Sequence, residues 1–183
     1  MTHDDYLLTL AELSVTFAGL AAIVTVLRSP RIRVWSPREM VGLWGLLAPC
    51  LAVFMLTLVP APLLSMGVSA GAVWRGASAV IAVGWLLGGG KAVLVLRRAA
   101  ARGYPDPTPF SNPLLLLLGG ASCVVGAVNA VGLVEAQLEF FILSLLSSLA
   151  FSVAIFATFL YASTSASRKD RAAARARAEG DGA

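Results

Sequence analysis

Five long apolar runs dominate the chain, and polar residues are confined almost entirely to the short segments between them and to the two ends. The runs cover about residues 6–27, 40–64, 74–96, 114–134 and 140–162, each close to the roughly 20 residues that carry an α-helix across the hydrocarbon layer. The pattern predicts an all-α integral membrane protein: a bundle of five transmembrane helices with short loops, in which residues 1–162 form the transmembrane domain. Residues 163–183, rich in Ala and Arg, read as a basic, disordered cytoplasmic tail. A four-span alternative would merge the last two runs into one apolar helix of about fifty residues. The polar segment Glu135-Ala136-Gln137-Leu138-Glu139 instead predicts a tight helical hairpin there.

Local signals place the helix ends. Thr2 stands three residues before Asp5 as in a capping box, and Ser36, Pro37 and Glu39 make an N-cap, a first helical position and an acidic first turn for the second span. Pro49 interrupts that span and predicts a kink, while Pro60 and Pro62 mark its end. Gly103, Pro105, Pro107, Pro109 and Pro113 exclude helix from the longest loop, and Asn112-Pro113 opens the fourth span. Gly88, Gly89 and Gly90 weaken the inner half of the third span; they are hinge candidates or, as the preferred reading, a close helix contact. The segment Trp85 to Ala92 does not satisfy a phosphate-binding loop. Trp85 stands where the first Gly is required, Ala92 replaces the Ser or Thr, and no strand precedes it.

Charge adds an orientation. One side of the membrane receives Arg28, Arg31, Arg33, Arg38, Lys91, Arg97, Arg98, Arg102 and the tail residues Arg168, Lys169, Arg171, Arg175 and Arg177, whereas the other receives only Arg75. Basic residues near short loops stay cytoplasmic, so the N-terminus is expected outside and the C-terminus inside. Tyr6 and Trp74 fall at the expected outer interface and Trp35, Trp44, Tyr104 and Tyr161 at the inner one, with Trp85 alone in mid-span. The acidic start, Met1-Thr2-His3-Asp4-Asp5, lacks the basic region and cleavage site of a signal peptide, so the first run is expected to be retained.

Composition then narrows the function classes. At 58% hydrophobic and 13% charged residues, with a mean hydropathy of +0.82, the chain lies outside the soluble globular range and has no mass for a catalytic domain. Its pI near 9.6 does not indicate nucleic acid, because the bases sit beside spans as topology signals. They are expected to attract anionic lipids at the cytoplasmic face. Of the 14 basic residues only Lys91 and Lys169 are lysines, and Ala and Gly abound, as in a GC-rich bacterial genome; a bacterial cytoplasmic membrane is expected. His3 is the sole histidine and no span carries paired acids, so no enzyme, catalytic residue, cofactor or metal site is expected. Cys50 and Cys123 read as small hydrophobes inside apolar runs.

What remains are polar positions inside spans. Glu12 lies about two turns into the first span, where an acid costs roughly 2.5–3.5 kcal/mol on insertion scales. Thr9, Glu12, Thr16, Gly19 and Ile23 share a helix face that is expected to avoid lipid. Glu12 either faces a wet cavity or, being near the outer end, reaches headgroups or a neighbouring polar side chain. Gly119, Ser122, Gly126 and Asn129 form a second stripe on the fourth span, and Ser144, Ser148 and Ser152 a third on the fifth, with Ser147 adjacent. Such faces are packing seams or line a hydrated path, with packing preferred. The expected outer side also collects Asp4, Asp5, Glu135 and Glu139, an electronegative mouth that would attract cations. The leading functional expectation is a small channel or pore assembled as a cyclic homo-oligomer, with Glu12, Thr16, Asn129, Ser144, Ser148 and Ser152 as polar-face candidates. A non-conducting scaffold or accessory subunit with a partner membrane protein is the alternative. A small-solute transporter, supported only by Pro49 and Gly88 to Gly90, is the third.

Overall fold

The computed structural model describes residues 3–28, 37–103 and 111–180. The predicted capping residue Thr2, the predicted N-cap Ser36, Arg31, Arg33, Trp35 and the proline-rich stretch 104–110 lie outside the described residues. Six helices follow in order: α1 (His3–Arg28), α2 (Pro37–Leu58), α3 (Pro60–Ser65), α4 (Ala70–Ala101), α5 (Ser111–Ala130) and α6 (Gln137–Gly180). No strand occurs among the described residues. Five segments are long and apolar enough to cross a membrane: Asp5–Ile23, Met40–Ser65, Ala70–Ala101, Pro113–Ala130 and Gln137–Thr158.

The breaks between helices have local causes. Helix α2 runs through Pro49 and stops at Leu58, because Pro60 and Pro62 have no N–H to continue the ladder. The short α3 extends the same span, and its end is closed by Gly67 at φ +84°: the Val68 N–H bonds the Leu63 carbonyl at 3.2 Å and the Gly67 N–H that of Leu64 at 3.0 Å. Helix α5 ends in the same way. The Leu133 N–H reaches the Val128 carbonyl at 3.3 Å and the Gly132 N–H that of Asn129 at 3.0 Å, with Gly132 at φ +73°. This paired closure requires a left-handed residue just past the helix, a position that glycine fills without a Cβ penalty. The fourth span therefore stops four residues short of the expected Val134. Val131, Leu133 and Val134 prolong the apolar run without prolonging the helix.

Two ends of one bundle are visible in its core. At the first end Leu7, Leu10, Leu56, Ala77, Ile81, Phe141 and Leu145 pack together with Cys50, Val53 and Leu149. At the second, Ala21, Leu46 and Ile155 pack with Leu47, Leu115, Phe151 and Phe156. The start of α1, the end of α2, the start of α4 and the start of α6 thus share one end, so α1, α4 and α6 run parallel to one another. Helix α6 is the most deeply set span, with 39% of its apolar window buried, and α4 the least, with 11%.

Helix α6 also continues without a break to Gly180, where the sequence reading expects a disordered tail from Ser163. Ala and Arg are among the strongest helix formers. Extension from an existing apolar helix also avoids the nucleation step that makes isolated Ala-rich segments marginal.

Candidate functional site

The polar positions inside the spans separate into one buried seam and two outward faces. The seam is built on α5. Its stripe Gly119, Ser122, Gly126 and Asn129 is buried and wedged between α4 and α6. The glycines permit the approach: a Cβ at Gly126 would stand 3.1 Å from the Ser78 carbonyl oxygen and 3.3 Å from the Ser144 Oγ, and one at Gly119 would stand 2.8 Å from the Trp85 ring. Small residues let backbones approach in this way, and the hydroxyls beside them then find partners across the contact.

Ser122, Ser144 and Ser148 form a closed hydrogen-bond group with Trp85. The Trp85 Nε1–H donates to Ser148 Oγ at 3.0 Å, and Ser148 Oγ lies 2.7 Å from Ser122 Oγ. Ser122 Oγ donates to the Ser144 carbonyl at 2.9 Å, and Ser144 Oγ returns a bond to the Ser122 carbonyl at 3.1 Å. With the Ser148 proton directed at Ser122, every donor in the group is used once. Ser152, one turn on, donates to the Ser148 carbonyl at 3.3 Å, and its hydroxyl neighbours the buried Cys50 thiol. Ring packing holds the indole in place, since Trp85 meets Phe151 edge-on with centroids 4.6 Å apart.

Toward the first end the seam finishes at Asn129, which is fully buried. Its amide nitrogen donates to Ser78 Oγ and to the Gln137 carbonyl, both at 2.7 Å, so one side chain ties α5 to α4 and to the first residue of α6. Its Oδ1 has no hydrogen-bond partner. Just beyond, the Arg75 guanidinium occupies the space where a Cβ at Gly132 would stand. That puts a positive charge over the C-terminus of α5, where the helix dipole favours it.

Helix α1 is arranged differently. Leu7, Leu10, Ala11, Ser14 and Ala21 are buried, and Ser14 donates to its own helix at the Ala11 carbonyl, 2.7 Å away. The polar stripe Thr9, Glu12, Thr16, Gly19 and Ile23 lies on the opposite side of the helix, and all five residues are exposed. Thr9 and Thr16 turn their hydroxyls onto the carbonyls of Asp5 and Glu12, each at 2.8 Å. No hydrogen bond or ion pair satisfies the Glu12 carboxylate among the described residues. The expectation that this stripe avoids the outer surface is therefore not met within one chain.

The six polar-face candidates are thus not one site. Asn129, Ser144, Ser148 and Ser152 belong to the seam, whereas Glu12 and Thr16 lie on the outside of α1, which does not touch α4 or α5 among the described residues. The preferred reading of Gly88, Gly89 and Gly90 as a close contact is not met within one chain, because a Cβ at any of them would meet nothing within 4 Å among the described residues. They lie in an unbroken α4, in a stretch that is mostly exposed. Ser78 and Trp85 are seam members that the sequence reading misses. Each is an isolated polar or aromatic position in an apolar helix, so neither belongs to a repeat that periodicity would detect.

No family model matches the sequence, and neither the search of characterised proteins nor that of solved structures finds a significant match.

Proposed function

We propose that the chain is a multi-pass subunit of a lateral homo-oligomeric assembly in a bacterial cytoplasmic membrane, with its N-terminus outside, its C-terminus in the cytoplasm and its basic inner loops against anionic lipid. The observation that carries this reading is Glu12, an unpartnered acid inside a span and on the outer surface of the bundle. An acid at that depth is costly against lipid, and a neighbouring subunit removes the cost. The buried seam supports a structural role for the serines, because their donors are engaged with one another and with Trp85. In this reading the protein acts as a scaffold or accessory subunit.

A conducting assembly is the second reading, favoured by Glu135 and Glu139, which are exposed at the same end of the bundle as the start of α1. Its path runs between copies on the symmetry axis, so the seam is not its lining.

Native mass spectrometry of the full chain extracted with its lipids tests the assembly. Masses at multiples of 19.0 kDa are expected, and a monomer or a fixed complex with a different protein overturns homo-assembly. Cation flux in liposomes then separates scaffold from channel. Orientation is read with Leu133→Cys, 75% exposed in the α5–α6 turn, on a Cys50→Ala, Cys123→Ala background. Labelling by an impermeant maleimide on intact cells is expected, and labelling only after permeabilisation reverses the topology.

A further inference from the structure

Helix α1 is an edge span. It borders α2 and α6 and no other element among the described residues, so one whole side of it is open. Leu8, Glu12, Val15, Gly19 and Ala22 follow one another along that side at alternate steps of four and three, and all five are exposed. Glu12 stands at the middle of the open side, across the helix from the buried Leu10, Ser14 and Ala21. Two turns further on, a Cβ at Gly19 would meet nothing within 4 Å. A run at these steps is the seam along which two parallel helices wind about each other, and a single polar residue in such a seam fixes its register by meeting its own copy.

The polar groups of the bundle identify what covers the seam. An acid inside a span needs a polar partner at its own depth. The seam serines of α5 and α6 and the Asn129 amide are buried within the chain, out of a neighbour's reach. Arg75 lies against Gly132 over the end of α5, and the Gln137 side chain turns toward Gly71. Glu139, exposed at the head of α6, is itself an acid, and Ser147 is half-buried deeper along the same helix. Thr9 and Thr16 direct their hydroxyl protons at carbonyls of α1. In an assembly of identical chains, the exposed group left to meet Glu12 is Glu12 of another copy.

We infer that two copies pair through α1 about a two-fold axis along the membrane normal, with Glu12 of one subunit against Glu12 of the other and Gly19 letting the helices approach below them. The inference rests on the assembly reading above and names its contact. Two carboxyls at one contact hold together through a shared proton, one donating to an oxygen of the other. Two acids facing lipid thereby become one hydrogen-bonded couple. The same patch serves both subunits, so the contact is isologous and closes at a dimer. Because the helices run parallel, both copies keep one orientation in the membrane.

The test uses the full chain in native membranes, with Cys50 and Cys123 replaced by Ala. With Glu12 in place and a mild oxidant added, Leu8→Cys and Val15→Cys are each expected to give a disulfide-linked dimer. Leu13→Cys, exposed on the flank of α1, is expected to give none. In liposomes, with pairing read by energy transfer between labelled copies, Glu12→Leu is expected to weaken association by about tenfold or more. Glu12→Gln, whose amide hydrogen-bonds its own copy across the seam, should hold it within about threefold. Glu12→Lys should not pair with itself, yet should pair with the unaltered chain when both are produced in one cell, because the acid and the base then meet. Circular dichroism checks that each variant keeps its helix content. A stable assembly heavier than twice the 19.0 kDa chain, or an oligomer that gives no Val15→Cys link and is indifferent to Glu12→Leu and Glu12→Lys, overturns this contact and leaves the assembly reading standing. A chain that is monomeric in native lipid overturns both.

Discussion

The α5 seam and the α4 outer face are made of the same materials and stand in opposite conditions. Each has small residues at intervals of three or four in an apolar helix. In the seam, Gly119 and Gly126 admit Trp85 and the α4 backbone, and the intervening Ser122 and Asn129 are buried and bonded across the contact. On α4, a Cβ at Gly76, Gly84 or Gly88 would meet nothing within 4 Å. A small-residue stripe is therefore a capacity for close approach, and the presence of a complementary helix within reach of the chain decides whether it is spent on folding or left for association.

The largest expected break in this comparison is Gly126→Ile. Its Cβ would press on the Ser78 carbonyl, a backbone atom that cannot turn aside, and a loss of about 3 kcal/mol is expected from overpacking, read by reversible unfolding in detergent. A smaller loss of about 1–2 kcal/mol is expected for Gly132→Ala, which places a Cβ in the left-handed conformation and displaces the Arg75 guanidinium. Ser122→Ala removes one hydroxyl from the closed group and should cost about 1 kcal/mol. A double-mutant cycle with Ser144→Ala should show coupling, since each hydroxyl bonds the other's carbonyl; strict additivity would mean that the two bonds are independent. Smallest is Gly84→Ile, expected to change monomer stability by less than about 0.5 kcal/mol, because nothing stands where its side chain would go. A large loss there would place α4 against its own bundle.

Much of the fold is legible in the sequence because run length is a direct consequence of membrane thickness. Five apolar runs became five apolar helical segments, and the α5–α6 hairpin lies where Glu135 to Glu139 interrupt the pattern. Helix ends were less legible when hydropathy and chain geometry disagreed. Gly132 carries the stop signal for α5, yet Val131 and Leu133 on either side are as apolar as the span itself, so a reading by hydrophobicity passes over it. In the tail, composition suggested disorder for a segment that a preceding span keeps helical to Gly180.

The candidate site was half legible for a related reason. Periodicity reports which residues share a face and says nothing about what that face meets. The stripes containing Glu12 and Asn129 look alike along the chain, and only the packing of α4 and α6 around α5 separates an outward acid from an inward amide. Ser78 and Trp85 acquire meaning only through partners 51 and 63 residues away.

The short turn between α5 and α6 has a consequence for how the protein is made. Six residues separate Ala130 from Gln137, and the first bonds across that turn, from Asn129 to the Gln137 carbonyl and between Ser122 and Ser144, lie within the hairpin itself. Two segments that satisfy each other's hydroxyls within one hairpin are suited to form as a pair, ahead of the rest of the bundle. Helix α1 has no such companion for Glu12 among the described residues, and its acid is left on the surface of the finished bundle.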